Sequence, residues 1–171
     1  MEQSVKLHNK FRLVFEDMET GEVQEAFAEN IVLETYFSRM LSGQDPTKNI
    51  SVGTGTGTLS TSRTTLFSFL ATNTESVSDN AIVFSGLTAY RQRKVRFLET
   101  EAVGTWTEIG FCYTDNSVLY MTTHAMLKDS EGNQITITKN NTTVVTVYAT
   151  IYSEVTAPVL PHCFGSASPL S

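Results

Sequence analysis

Residues 51–63 read SVGTGTGTLSTSR, with Gly53, Gly55 and Gly57 alternating with threonine. A glycine loop of this kind can cradle a phosphate only with further parts. A Walker loop needs Gly, four residues and then Gly-Lys-Ser/Thr, and no lysine follows here. A dinucleotide fingerprint needs its third glycine three positions after the second, leading into a helix. Gly57 comes two positions after Gly55, Thr58 occupies the required place, and LSTSRTT is a poor helix start. The glycines therefore read as a strand, Asn49 to Gly53, leaving its sheet into a loop where backbone segments approach closely. That loop is expected to be a docking surface, and no cofactor is expected on it.

Other reactive side chains are scattered. His8, His124 and His162 show no paired ligand spacing, with His162-Cys163 the nearest approach to a metal pair, so no metal site is expected. Cys112 with His124 would resemble a nucleophile and base across one hairpin, but GFCYT reads as a strand holding a small buried thiol. Glu99, Glu101 and Glu108 flank Trp106, the carboxylate-and-tryptophan grouping of a glycosidase, whose outcome depends on carboxylate separations that a sequence does not fix. The expectation is no catalytic residue. Trp106, with Tyr113 or Tyr120, could instead present a stacking platform to a sugar.

Charge is organised more clearly than chemistry. The formal net charge of -6 argues against nucleic acid as partner, because coating phosphates needs a basic surface. Yet YRQRKVRF concentrates Arg91, Arg93, Lys94 and Arg96, while Glu2, Glu16, Asp17, Glu19, Glu22, Glu25, Glu29 and Glu34 crowd the N-terminal region. This polarity predicts complementary patches that meet between copies of the chain, with the basic strip setting register. Residues Arg91, Arg93, Lys94, Arg96, Gly53, Gly55, Gly57 and Trp106 are the candidate protein-interface positions.

The elements that must hold these residues are mostly strands. Thr, Val, Ile, Tyr and Phe are abundant, all suited to a pleated, half-buried surface. Phe11 to Glu29 reads as a hairpin turning through Met18 to Gly21. A helix over about 31–41 follows, with Asn30 as N-cap and Gly43 just past its end. Its stripe of Leu33, Tyr36, Phe37, Met40 and Leu41 is expected to lie on a sheet as a core lid. Segment 64–80 is ambiguous between strand and short helix. Strands are predicted at 81–89, 90–101, 106–114, 118–126, 134–139 and 143–154, punctuated by Asp115-Asn116, Glu131-Gly132-Asn133 and Asn140-Asn141 turns. Short turns between consecutive strands exclude parallel crossovers. The fold class is thus mainly β, an antiparallel β-sandwich with one short α-helix near the N-terminus, over residues 1–157, with 158–171 an extended C-terminal tail. Neither a signal-like apolar stretch nor a membrane-length run is present, so synthesis in the cytoplasm without a membrane partner is expected.

The order of segments adds a resemblance. Ile50, Gly53, Thr54, Gly55 and Thr56, then Gly104, Glu108, Ile109, Gly110 and Phe111, then Lys139, Val145, Val147, Tyr148 and Ile151 follow a pattern that resembles structural proteins of tailed bacteriophages. It covers most of residues 11–154. The resemblance implies a non-enzymatic β-rich virion part of tail-fibre, baseplate, collar, head-fibre or decoration type. It implies no cofactor, and as partners other copies of itself and other phage virion proteins. The alternative is a carbohydrate-binding module whose exposed aromatics take a host-surface glycan.

Overall fold

A computed structural model describes residues 4–156. The expected C-terminal tail, with His162 and Cys163, lies outside the described residues. The N-terminal hairpin is as read: β1 (Ser4–Asp17) and β2 (Val23–Glu29) pair antiparallel, and Gly21 takes φ +71° at the turn. Asp17 stabilises that turn by accepting from the amides of Glu19 and Thr20, so its carboxyl lies below the ordinary carboxylate range.

The helix departs from its reading. Ile31–Val32 form a short strand, β3, and only Glu34–Leu41 are helical, as α1. Asn30 is not the cap; the Glu34 amide donates to the Thr61 carbonyl at 2.9 Å, so a neighbouring loop satisfies the first turn. At the other end Gly43, φ +73°, donates to Met40, the expected left-handed stop. Nor is α1 a lid. It buries Tyr36, while Phe37, Met40 and Leu41 are 44, 44 and 84 % exposed, because two turns cannot lay a five-residue stripe on a sheet.

Strands then follow almost without interruption: β4 (Asn49–Gly53), β5 (Phe69–Thr72), β6 (Ser78–Asp79), β7 (Val83–Ser85) and β8 (Thr88–Phe97). After them come β9 (Gly104–Trp106), β10 (Glu108–Asp115), β11 (Val118–Met121), β12 (Thr123–Met126), β13 (Ile137–Lys139) and β14 (Thr143–Thr156). The ambiguous 64–80 segment is loop and strand. Asn116 and Ser117 adopt φ +46° and +65°, giving the β10–β11 hairpin the twist its strands require.

All pairings are antiparallel. The first sheet runs β2-β1-β14-β8-β6 with β7 also on β8; the second runs β3-β12-β10-β4-β5 with β11 also on β10; β9 and β13 form a small third sheet. The two large sheets share one core and make a sandwich-like fold. Phe11, Leu13, Val95 and Val147 of the first meet Ile50, Val52, Ile109 and Phe111 of the second, with Phe11 and Phe111 rings 5.2 Å apart. Trp106 fills the gap edge-on to Phe15 and Phe97 at 5.3 and 5.1 Å, its Nε1–H donating to the Ala102 carbonyl. Among the described residues no helix is long and apolar enough to cross a membrane.

Candidate functional site

Alternation along β10 decides which residues could act. Ile109 and Phe111 point into the shared core, so Glu108, Gly110 and Cys112 lie on the outer face of the second sheet. Segment 54–68 folds back over that face. Glu108 is directly opposite Gly53 of β4, and its carboxylate is wholly enclosed. Oε1 accepts from the amides of Gly55 and Ser68, both at 2.9 Å. Oε2 accepts from the Phe67 amide at 2.9 Å and from Nε2 of His124 at 2.7 Å. The glycine segment does cradle an anion, and the anion is the chain's own side chain.

This explains the glycines sterically. A Cβ at Gly53 would sit 2.4 Å from the Ser68 carbonyl and 2.5 Å from Oε1 of Glu108. At Gly55 it would fall 2.3 Å from Cβ of Phe67, and at Gly57 2.5 Å from the Phe67 ring. The expected close approach is therefore real. Gly53 is buried, Gly55 half-buried and Gly57 exposed, and the position a Cβ would take at each of the three is turned to Glu108 and residues 67–68.

His124 reaches Glu108 through a register slip. Cys112 pairs with Met121, whereas Ile109 pairs with Ala125, so Thr122 is one extra residue between β11 and β12. A slip of one moves every following side chain to the other face. The bulge thereby places His124 on the face of Glu108, where its ring packs 4.9 Å from Phe67, over which the Arg63 guanidinium lies at 4.1 Å. Burial pushes the Glu108 carboxyl up, but the bond from His124 and the three amides outweigh it, and the group rests below the ordinary carboxylate range.

The other reactive side chains are engaged elsewhere. Cys112 does not meet His124; its Sγ is 3.1 Å from the Ser51 hydroxyl in a dry cluster with Leu33, Leu66 and Met121, and burial pushes its thiol up to about 12. Glu101 closes the turn after β8, accepting from the Leu98 amide at 2.8 Å and from Thr74, and shares no partner with Glu108. Lys139 is buried beside it and donates to the Leu98 and Glu99 carbonyls at 2.8 and 2.9 Å. Trp106 has no exposed surface, which corrects its place among interface and stacking candidates: its indole completes the inter-sheet core. Tyr113 and Tyr120 stack on each other at 5.3 Å with Arg39 4.1 Å from the Tyr113 ring. Among the described residues no three His, Cys, Asp or Glu cluster to hold a metal ion.

The basic strip divides by face. Arg91 and Arg93 turn inward. Arg93, buried, donates to Asp79 through Nε and Nη2 and to Asp45, at 2.9 Å, and Thr47 through Nη1. Arg91 lies 3.9 Å from Asp45. Their charge is answered within the chain, with Arg93 buried and Arg91 half-buried. Lys94 and Arg96 point outward and are exposed, and two residues that sequence reasoning missed, Lys10 and Arg12 of β1, share that outer face of the first sheet. Tyr148 lies between Arg12 and Lys94, 5.6 and 5.7 Å from its ring centre, and Lys10 lies 5.9 Å from that of Tyr152. Depressions of about 360 and 330 Å³ at this face both include Lys10, Phe11 and Phe27. Period-two alternation was the available signal for the split at Arg93/Lys94; joining β1 to β8 across β14 needed the fold.

Comparison with protein-family models, with curated proteins and with solved structures found no match to this chain.

Proposed function

We propose that this chain is a non-enzymatic structural component of a tailed-bacteriophage virion, acting by self-association and by docking to other virion proteins at a tail, neck or head appendage. The observation that carries the reading is where reactive and adhesive groups lie. Glu108, His124 and Cys112 have no exposed surface and are bonded to the framework, so no substrate atom can reach them. Cations, tyrosines and unpaired apolar side chains occupy the outside, including Ile82, Val83, Phe84 and Leu87 around the β7–β8 turn. A rigid sandwich with its polar chemistry locked inside and sticky surfaces outside is suited to assembly. The bacteriophage assignment rests on the segment pattern from Ile50 to Ile151.

The test is particle analysis. Mass spectrometry of purified phage particles should find the chain at a fixed copy number, and electron microscopy of particles lacking it should show a missing ring, spike or fibre. Purified particles without the chain, or deletion particles of unchanged form and attachment, would refute the reading.

A further inference from the structure

The first sheet is longer than the second. Strands β1, β14 and β8 continue past the sandwich as an overhang, where β7 joins them. On the inward side Phe11, Val147 and Ala149 are buried in the shared core. Alternation carries Leu7, Ser153, Ala89 and Phe84 to that same side, as one row across four strands. Val5 and Val155 form the row beyond. Among the described residues no second layer lies on these rows: Val5 and Phe84 are 60 and 77 % exposed. A depression of about 150 Å³ opens beside them between Ile82, Ala89, Tyr90, Arg91, Ile151 and Ser153. The outward side differs, because His8, Tyr152 and Tyr90 pack ring against ring across it at 4.8 and 5.8 Å.

The sequence supplies an occupant. Strand β14 runs away from the core and reaches Thr156, opposite Ser4 at the end of the overhang. Residues 157–171 read APVLPHCFGSASPLS, without one Asp, Glu, Lys or Arg. The other uncharged runs of fourteen or more residues are 49–62 and 140–153. Both are built into the sandwich, the first as β4 and part of the segment over the second sheet, the second as most of β14. Ala157 and Leu160 each precede a proline, which favours extended backbone, and Pro158 has no N–H with which to continue a ladder. An extended path from Thr156 leads onward from the overhang, whereas lying on the chain's own inward face demands an immediate reversal.

We infer that residues 157–164 of one copy, carrying Val159, Leu160 and Phe164, lie on the inward overhang of a second copy, and reciprocally. Eight extended residues span about 26 Å at roughly 3.3 Å each. The overhang measures about 14 Å across its four strands and about 13 Å from Val155 to Ile151, so one such segment crosses it. The exchange removes apolar surface from water on both copies, and because each gives and receives, the contact closes at two.

The inference deepens the self-association reading above and rests on it. Its experiment uses the full chain carrying Ser153→Cys, which sets a thiol on the inward overhang, while Cys163 adjoins Phe164 and Cys112 is buried out of reach. Oxidation by diamide at micromolar concentration should give a covalent pair of twice the chain mass on a non-reducing gel. Peptide mapping should place the link between position 153 of one chain and Cys163 of the other, and Cys163→Ser should abolish it. Linking should run roughly tenfold faster than from Thr88→Cys, one residue along β8 and facing outward. Separately, Leu160→Asp/Phe164→Asp should raise the Kd from sedimentation on the order of 100-fold. A link within one chain would overturn the second copy as occupant. An oligomer that neither links at position 153 nor is weakened by the tail variant would overturn this contact and leave self-association standing. A wild-type monomer at high concentration would overturn both.

Discussion

Replacing Glu108 by Gln tests whether the enclosed carboxylate is what pins segment 54–68 to the second sheet. The carboxylate answers four donors: amides of Gly55, Phe67 and Ser68, and His124. An amide oxygen at the Oε1 position keeps Gly55 and Ser68. The new NH₂ then faces two donors at the Oε2 position. His124 can adapt, because its Nδ1 is buried without a partner and can take the ring proton, leaving Nε2 as acceptor. The Phe67 amide cannot adapt and meets another donor. One unsatisfied buried amide plus the lost charge assistance comes to about 3 kcal/mol. At roughly 2–4 °C per kcal/mol for a chain of this size, Glu108→Gln should melt about 6–12 °C below wild type by differential scanning calorimetry. The pH dependence has a fixed sign. A carboxyl whose folded value lies below its ordinary 4.5 stabilises the fold fully above that pH, and the stabilisation fades as pH falls through the folded value. The gap between wild type and Glu108→Gln should therefore be constant near neutrality and close below pH 4.5. A melting temperature within about 1 °C of wild type at pH 7 would refute the clasp.

Gly55→Ala should destabilise by about 3 kcal/mol in urea titration, since its Cβ meets the Phe67 Cβ and Ser68 amide below 3 Å, whereas Gly132→Ala, at φ +90° with nothing within 4 Å, should lose only about 1. Arg93→Ala, which strips Asp45 and Asp79 of their shared cation, should lose about 3 kcal/mol, while Arg96→Ala measured in dilute solution should stay within about 0.5. In a Cys163→Ser background, Cys112 should react with a disulfide reagent roughly a thousandfold more slowly in the native chain than after unfolding, because its thiol is raised from 9.0 to about 12.

Much of the fold was legible because its signals are local. Gly21 and Gly43 marked a turn and a helix stop, Asn116 marked a hairpin, and strand Asn49–Gly53 has the bounds read for it. Glycine at 53, 55 and 57 correctly announced close approach. What approached was hidden, since Glu108 and His124 meet only through the extra residue at Thr122, and nothing local distinguishes a bulge from a continuous strand. The helix was overread because its apolar stripe was assumed to be covered. Ile31 and Val32 instead answer the backbone of β12, a demand made by an element some 90 residues away. Trp106 between carboxylates suggested a sugar site; Glu99 and Glu101 belong to the turn after β8, Glu108 to β10 and the ring to the core.

Strand β14 lies between β1 and β8, along 14 residues of the one and 10 of the other. On the ribosome, β1 emerges first yet has only β2 beside it until β14 arrives. The central ladder of the first sheet consequently closes late, across the longest sequence separation in the described chain, which predicts slow, all-or-none folding after synthesis. Until then the apolar side of the β1–β2 hairpin stands uncovered, so chaperone dependence should be concentrated on nascent chains ending before Thr143.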